Sequence, residues 1–263
     1  MSFGKLETHL RTQRSVGRKI LVPYITGGLP GWIDAIRAAA ANGADAVEIG
    51  IPFSDPVMDG PIIQRASENS LKLGTTPTSI LDQLNSVDVH IPLAVMCYYN
   101  TIHYAGVVRF ASALAGSGVC AAIVPDLPLE ESGPWCEAAS AASIETVMLV
   151  APTAPDARLP LIAARSKGFI YTVGLLGVTG ERSELAATAL TLARRVKAIT
   201  DIPVLIGVGV SNAEQAVQAT TVADGVIQGA SVVRRLMKSG PDAVGEYVAQ
   251  VRSALDSART VTD

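Results

Sequence analysis

The sequence predicts an α/β fold, a (β/α)8 TIM barrel with an extra N-terminal helix. Three observations lead there. Eight apolar, strand-like runs each lead into helical sequence, and strands alternating with helices form a parallel sheet covered by those helices. Eight such units match the roughly 250 residues of a barrel, and the chain has 263. No Ser/Gly-rich linker divides it, so residues 1–263 are expected to form one domain. A doubly wound open sheet is the alternative. Against it, no GxGxxG follows the first strand, and the glycines gather near the last strands.

Residues 1–18 read as a polar lead-in helix with Leu6 and Leu10 at helical spacing. Ile20–Thr26 is the first strand, turned by Gly27, Gly28 and Pro30 into a helix over Trp32–Asn42 that Gly43 closes. A strand over 45–51 runs into a loop rich in Pro and Gly, then helices around Ile62–Leu73 and Thr78–Asn85. Strand Pro92–Tyr99, helix Val107–Ala115 and strand Ala121–Leu127 follow, then helix Pro134–Ala142 and strand Glu145–Ala151. Helix Ala157–Ser166 and strand Phe169–Val173 lead to a second long loop, Gly174–Ser183. Helix Ala187–Thr200, strand Pro203–Val210, helix Asn212–Ala223, strand Gly225–Gln228 and a helical tail complete the chain.

Composition narrows the function. The chain is 49% hydrophobic and 17% charged, which excludes disorder. No apolar run is long enough to span a bilayer, and the N-terminus lacks the order of a secretory signal, so a soluble, cytoplasmic protein is expected. A net charge of −3 without a basic block argues against a nucleic-acid surface. Cys97, Cys120 and Cys136 have no CxxC spacing and read as reduced core thiols, and His9, His90 and His103 are too scattered for a metal site. No bound metal is expected.

Chemistry concentrates in residues 47–61. Val47, Ile49 and Ile51 form a bulky face, whereas Ala46, Glu48 and Gly50 form a small one. A carboxylate on that small face of a closed sheet is partly desolvated, which favours its protonated form and suits a general acid or base. Glu48 has a plainer alternative, a carboxylate satisfied by a partner inside the barrel. Asp59, before Gly60 and Pro61, is either a second catalytic carboxylate on a loop or a turn and helix cap. Asp126, placed at the end of the fourth strand, reads equally as a loop anchor or as an orienting group. Tyr98, Tyr99 and Asn100 at the end of the third strand, and Tyr171 in the sixth, can line a pocket or simply pack. The glycines at 177, 180, 207, 209 and 229 either offer backbone amides to a phosphate near the last loops or serve only as turn residues. No lysine falls at the C-terminal end of a predicted strand, which argues against Schiff-base chemistry.

The run Pro52-Phe-Ser-Asp-Pro-x-x-Asp59-Gly-Pro-x-Ile-Gln64, preceded by Glu48-x-Gly50, resembles the signature of the tryptophan synthase α subunit family. Gly177-Val-Thr-Gly180, Gly207-x-Gly209 and Asp126-x-Pro-x-Glu-Glu-Ser132 match in order and spacing over nearly the whole chain. The resemblance implies retro-aldol cleavage of indole-3-glycerol phosphate into indole and glyceraldehyde 3-phosphate. By that likeness Glu48 protonates the indole ring carbon and assists deprotonation of the glycerol hydroxyl, and Asp59 stabilises charge at the indole nitrogen. Tyr171 lines the pocket, Thr179 reaches Asp59, and the phosphate lies on Gly180, Gly209, Gly229 and Ala230. The likeness also implies no cofactor in this chain, and a β subunit partner in an α2β2 complex that carries pyridoxal phosphate, with the Pro52–Pro56 loop in that contact. Ala230, Leu175, Leu176 and Leu29 depart from the family's usual serine, arginine, serine and aspartate, although Ser231 is adjacent to Ala230. Two alternatives follow: a stand-alone indole-releasing lyase, and a subunit that mainly activates its β partner.

Overall fold

The computed structural model describes residues 3–174 and 187–259. Its strands close into one parallel barrel in sequence order. They are β1 (Ile20–Thr26), β2 (Val47–Gly50), β3 (Leu93–Met96), β4 (Ala121–Ile123), β5 (Glu145–Val150), β6 (Ile170–Val173), β7 (Val204–Gly207) and β8 (Gly225–Gln228). Closure comes from β1 pairing with β8, Ile20 beside Gly225. The helices are α1 (Lys5–Ser15), α2 (Trp32–Ala41), α3 (Pro61–Lys72), α4 (Pro77–Leu84), α5 (Tyr99–Ala105), α6 (Val107–Gly116), α7 (Gly133–Ala141), α8 (Leu159–Arg165), α9 (Ala187–Lys197), α10 (Ala213–Thr220), α11 (Ala230–Ser239) and α12 (Pro241–Arg259).

Strand alternation divides the apolar core in two. Val47, Ile49, Val95, Ile170 and Ile206 pack outward against the helices, whereas Val22, Ala46, Ala94, Ile123, Val147, Tyr171 and Leu205 fill the lumen. The lumen is therefore a packed core, with a cavity near the C-terminal ends of the strands. Helix α1 plugs its lower end. Leu6 and Leu10 are fully buried there, each contributing about 1.5–3 kcal/mol by burial. Gly4 caps α1 without a side chain. The Glu145 carboxylate does that work from β5, accepting the Leu6 N–H at 2.6 Å and the Glu7 N–H at 2.9 Å.

Several expected boundaries move. The second strand begins at Val47 rather than 45, because Asp45 turns to the lower rim, accepting the Leu21 N–H at 2.8 Å and pairing with Arg18 and Arg252. The third strand stops at Met96, and Tyr99 opens a helix instead of ending a strand. The cause is Asp126, whose Oδ1 accepts the Tyr99 N–H at 2.8 Å. Asp126 itself lies beyond β4, which ends at Ile123, so its placement at a strand end is corrected; Pro125 has no N–H to extend the ladder. The seventh strand ends at Gly207, since Val208 and Gly209 both take positive φ, 65° and 96°. Cys136 is partly exposed rather than core. Among the described residues no helix is long and apolar enough to cross a membrane.

Candidate active site

A cavity at the C-terminal ends of the strands is lined by Tyr24, Glu48, Met58, Asp59, Tyr171, Gly209, Gly229 and Ala230, together with apolar residues such as Ile123, Leu149 and Ile227. The two carboxylates arrive by different routes. Glu48 comes from the lumen face of β2, as the alternation requires, and is 1% exposed. Asp59 sits just before α3 and is 5% exposed, far more enclosed than a loop aspartate expected to act as a turn residue. Its carbonyl accepts Gln64 Nε2 at 2.8 Å, and Pro61 occupies the first turn of α3, where no N–H is needed.

Tyr98 stands against Asp59. Its hydroxyl faces the Asp59 carboxylate closely enough to favour the ionised form and accepts the Met58 N–H at 3.0 Å, while its ring stacks on Phe53 at 5.0 Å between centroids. The sequence marked Tyr98 only as a residue that could line a pocket; its place against Asp59 depends on the break between β3 and α5, which local pattern did not reveal. Asp126 contributes one step removed, since the helix it caps begins next to Tyr98.

The electrostatics separate the two acids. Burial, reinforced by the Asp59 charge, pushes the Glu48 carboxyl up from 4.5 to about 8. Burial also raises Asp59, to about 6, and the Tyr98 hydrogen bond restrains the rise. Near neutrality Glu48 is therefore mostly protonated and Asp59 mostly ionised, a neutral acid and an anion lining one cavity. Glu48 Oε2 is buried with no hydrogen-bond partner among the described residues.

Two tyrosines cross the lumen over glycines. A Cβ at Gly50 would collide with the Tyr24 hydroxyl, and one at Gly207 with the Tyr171 hydroxyl, so each glycine makes room for a phenol. Tyr24, whose lumen position was open to parity but which drew no notice in the sequence, is the register partner of Glu48. At the far side of the cavity, Gly229 caps α11 with no side-chain acceptor, which leaves the first N–H groups of that helix for a ligand. Val208 is held at φ 65° beside Gly209, a costly conformation for a β-branched residue that clusters at ligand sites. None of the described lining residues is Lys or Arg, so an anion here would meet backbone amides and the helix dipole. Gly229, Ala230 and Gly209 thus share the cavity with Glu48, Asp59 and Tyr171, whereas Thr179, Gly180, Leu175 and Leu176 lie outside the described residues. The described residues contain no His, Cys, Asp and Glu cluster able to hold a metal ion.

Comparisons with known proteins agree with this fold. A family profile described as tryptophan synthase alpha chain matches residues 10–259. The chain is 43% identical to the tryptophan synthase alpha chain of Streptomyces coelicolor over 245 residues, covering 91% of this chain and 90% of that one. It is 42% identical to the alpha chain of Thermobifida fusca, covering 90% of each. Among solved structures, a chain of Mycobacterium tuberculosis tryptophan synthase superposes with a TM-score of 0.89 at 34% identity, over 97% of this chain and 99% of that one. A tryptophan synthase alpha chain from Legionella pneumophila gives 0.88 at 27% identity, over 97% and 98%. With the barrel and these likenesses in agreement, the chain belongs to the tryptophan synthase alpha chain family, a family of lyases that cleave indole-3-glycerol phosphate in tryptophan biosynthesis.

Proposed function

We propose that this chain, as a single domain, cleaves indole-3-glycerol phosphate to indole and glyceraldehyde 3-phosphate, with Glu48 and Asp59 as its catalytic residues. The observation that carries the reading is the single cavity that Glu48 and Asp59 line together with Tyr171, Gly209, Gly229 and Ala230, where burial raises both acids, Glu48 the more. Protonated Glu48 delivers its proton to the indole ring carbon that carries the side chain. Asp59 remains ionised and balances the positive charge that develops at the ring nitrogen. The Glu48 carboxylate so formed then takes the proton of the glycerol hydroxyl, the carbon–carbon bond breaks, and its electron pair returns to the ring. One carboxyl thereby serves first as acid and then as base. Tyr171 and the apolar wall support the indole, and the phosphate rests on amides at Gly209, Gly229 and Ala230, with Thr179 and Gly180 completing the site.

By the same reading the chain works in the cytoplasm without a cofactor of its own. Its partner is a β subunit carrying pyridoxal phosphate, in an α2β2 heterotetramer. Phe53 links the exposed loop before Asp59 to Tyr98, which supports a route from a partner's surface to the site.

The test is indole release from indole-3-glycerol phosphate by wild type, Glu48→Gln and Asp59→Asn, each with and without a β subunit. Both variants are expected to lose cleavage severely, Glu48→Gln the more. A near-normal rate in either removes that residue from its role. Wild-type turnover that ignores the β subunit would favour a stand-alone lyase.

A further inference from the structure

We propose that Tyr24 is a positioning residue for this reaction, its hydroxyl seated over Gly50 to support the Glu48 carboxylate once that acid has given up its proton. The inference rests on the assignment of Glu48 as the acid and goes beyond it. Three features of the barrel carry it. Tyr24 in β1 stands in register with Glu48 in β2, so both side chains enter the lumen from neighbouring strands. Gly50 lies two residues beyond Glu48 on the same face, and the missing Cβ is the space that the Tyr24 hydroxyl occupies. The Tyr24 ring also passes Gly229, 3.8 Å from the position a Cβ would take there, and it lines the cavity with both carboxylates. Tyr24 thus spans the site from the α11 terminus to the acid pair.

The chemistry creates a need for such a group. Glu48 has one buried oxygen, Oε2, without a partner among the described residues, and an unsupported carboxylate in an apolar lumen is costly. The described ionisable groups facing this region are Asp59 before α3, Tyr24 from β1, Tyr171 from β6 and, through Asp59, Tyr98. Asp59 opposes a second negative charge. Burial, with Asp59 and Glu48 adding to it, holds the Tyr24 phenol well above its usual range. Tyr24 therefore stays a neutral O–H donor throughout the cycle and takes no proton itself.

The experiment is a carbon-13 titration of the Glu48 carboxyl in the full chain, assigned by its absence from Glu48→Gln, together with the pH profile of indole release. In Tyr24→Phe the Glu48 midpoint should move up by about one pH unit, as expected for loss of one hydrogen bond to a charged group. Turnover should fall roughly tenfold with KM little changed, and the alkaline limb should move up with the midpoint. An unmoved midpoint overturns the proposal, even if turnover falls, because a packing role alone would leave the titration unchanged. Should Tyr24→Phe fail to fold, 3-fluorotyrosine at position 24 keeps the ring and strengthens the donor, so the midpoint must then move down; no movement overturns the proposal. Cleavage surviving in Glu48→Gln would overturn the role of Glu48 itself. An inactive Glu48→Gln beside an unmoved Tyr24→Phe midpoint overturns only the role of Tyr24.

Discussion

Replacing Glu48 by Gln should stabilise the protein in alkali while abolishing its chemistry. In the folded chain the carboxyl is raised from 4.5 to about 8, first by burial and then by Asp59. A raised folded-state value means that the stability tied to the bound proton is complete below about 4.5 and is lost as pH climbs through about 8. Each unit is worth about 1.4 kcal/mol, so wild type loses on the order of 4–5 kcal/mol across that window. Gln matches the shape of the protonated acid and cannot ionise, so the variant avoids the loss. For a chain of this size 1 kcal/mol corresponds to roughly 2–4 °C in Tm. Melting curves followed by circular dichroism should therefore nearly coincide at pH 5 and separate by roughly 10 °C near pH 9, with the variant the more stable. Wild-type and variant Tm values that run parallel from pH 5 to 9 would refute the reasoning, because no buried proton would then be linked to folding.

The pH dependence of kcat/KM should be bell-shaped, rising as Asp59 ionises near 6 and falling as Glu48 loses its proton near 8, with both apparent values belonging to the coupled pair. A profile flat from pH 5.5 to 8.5 contradicts it. Tyr98→Phe removes the donor that restrains Asp59, so the rising limb should move up by about one unit; an unmoved limb would show that Tyr98 does not hold Asp59. Glu145→Ala leaves the Leu6 and Glu7 N–H groups without their acceptor and should cost on the order of 2–4 kcal/mol in urea unfolding, with cleavage per folded molecule unchanged. A loss below about 0.5 kcal/mol would mean that α1 is held by apolar packing alone.

Most of the architecture was legible locally. Eight strand-and-helix units, the lumen-facing parity of Glu48 and the helical spacing of Leu6 and Leu10 in α1 all follow from short-range periodicity. The errors fall where a distant residue overrules that pattern. The run 92–99 reads as one strand, yet Asp126 captures the Tyr99 N–H and starts a helix. Asp45 continues the strand pattern and is drawn instead to arginines on two other segments.

The sequence by itself determined the barrel, the face on which Glu48 stands and, through a dense motif, the family, because side-chain periodicity and motif spacing are local quantities. Only the tertiary structure decided what the two acids are worth. The rise of Glu48 depends on how completely the closed lumen excludes water and on Asp59 being folded over it, and the restraint on Asp59 comes from Tyr98, forty positions away in the chain from Met58, whose N–H the same hydroxyl accepts. Tyr24 reaches its seat over Gly50 only because β1 and β2 pair in one register. Desolvation and long-range hydrogen bonds are properties of the folded enclosure, which no window of sequence contains.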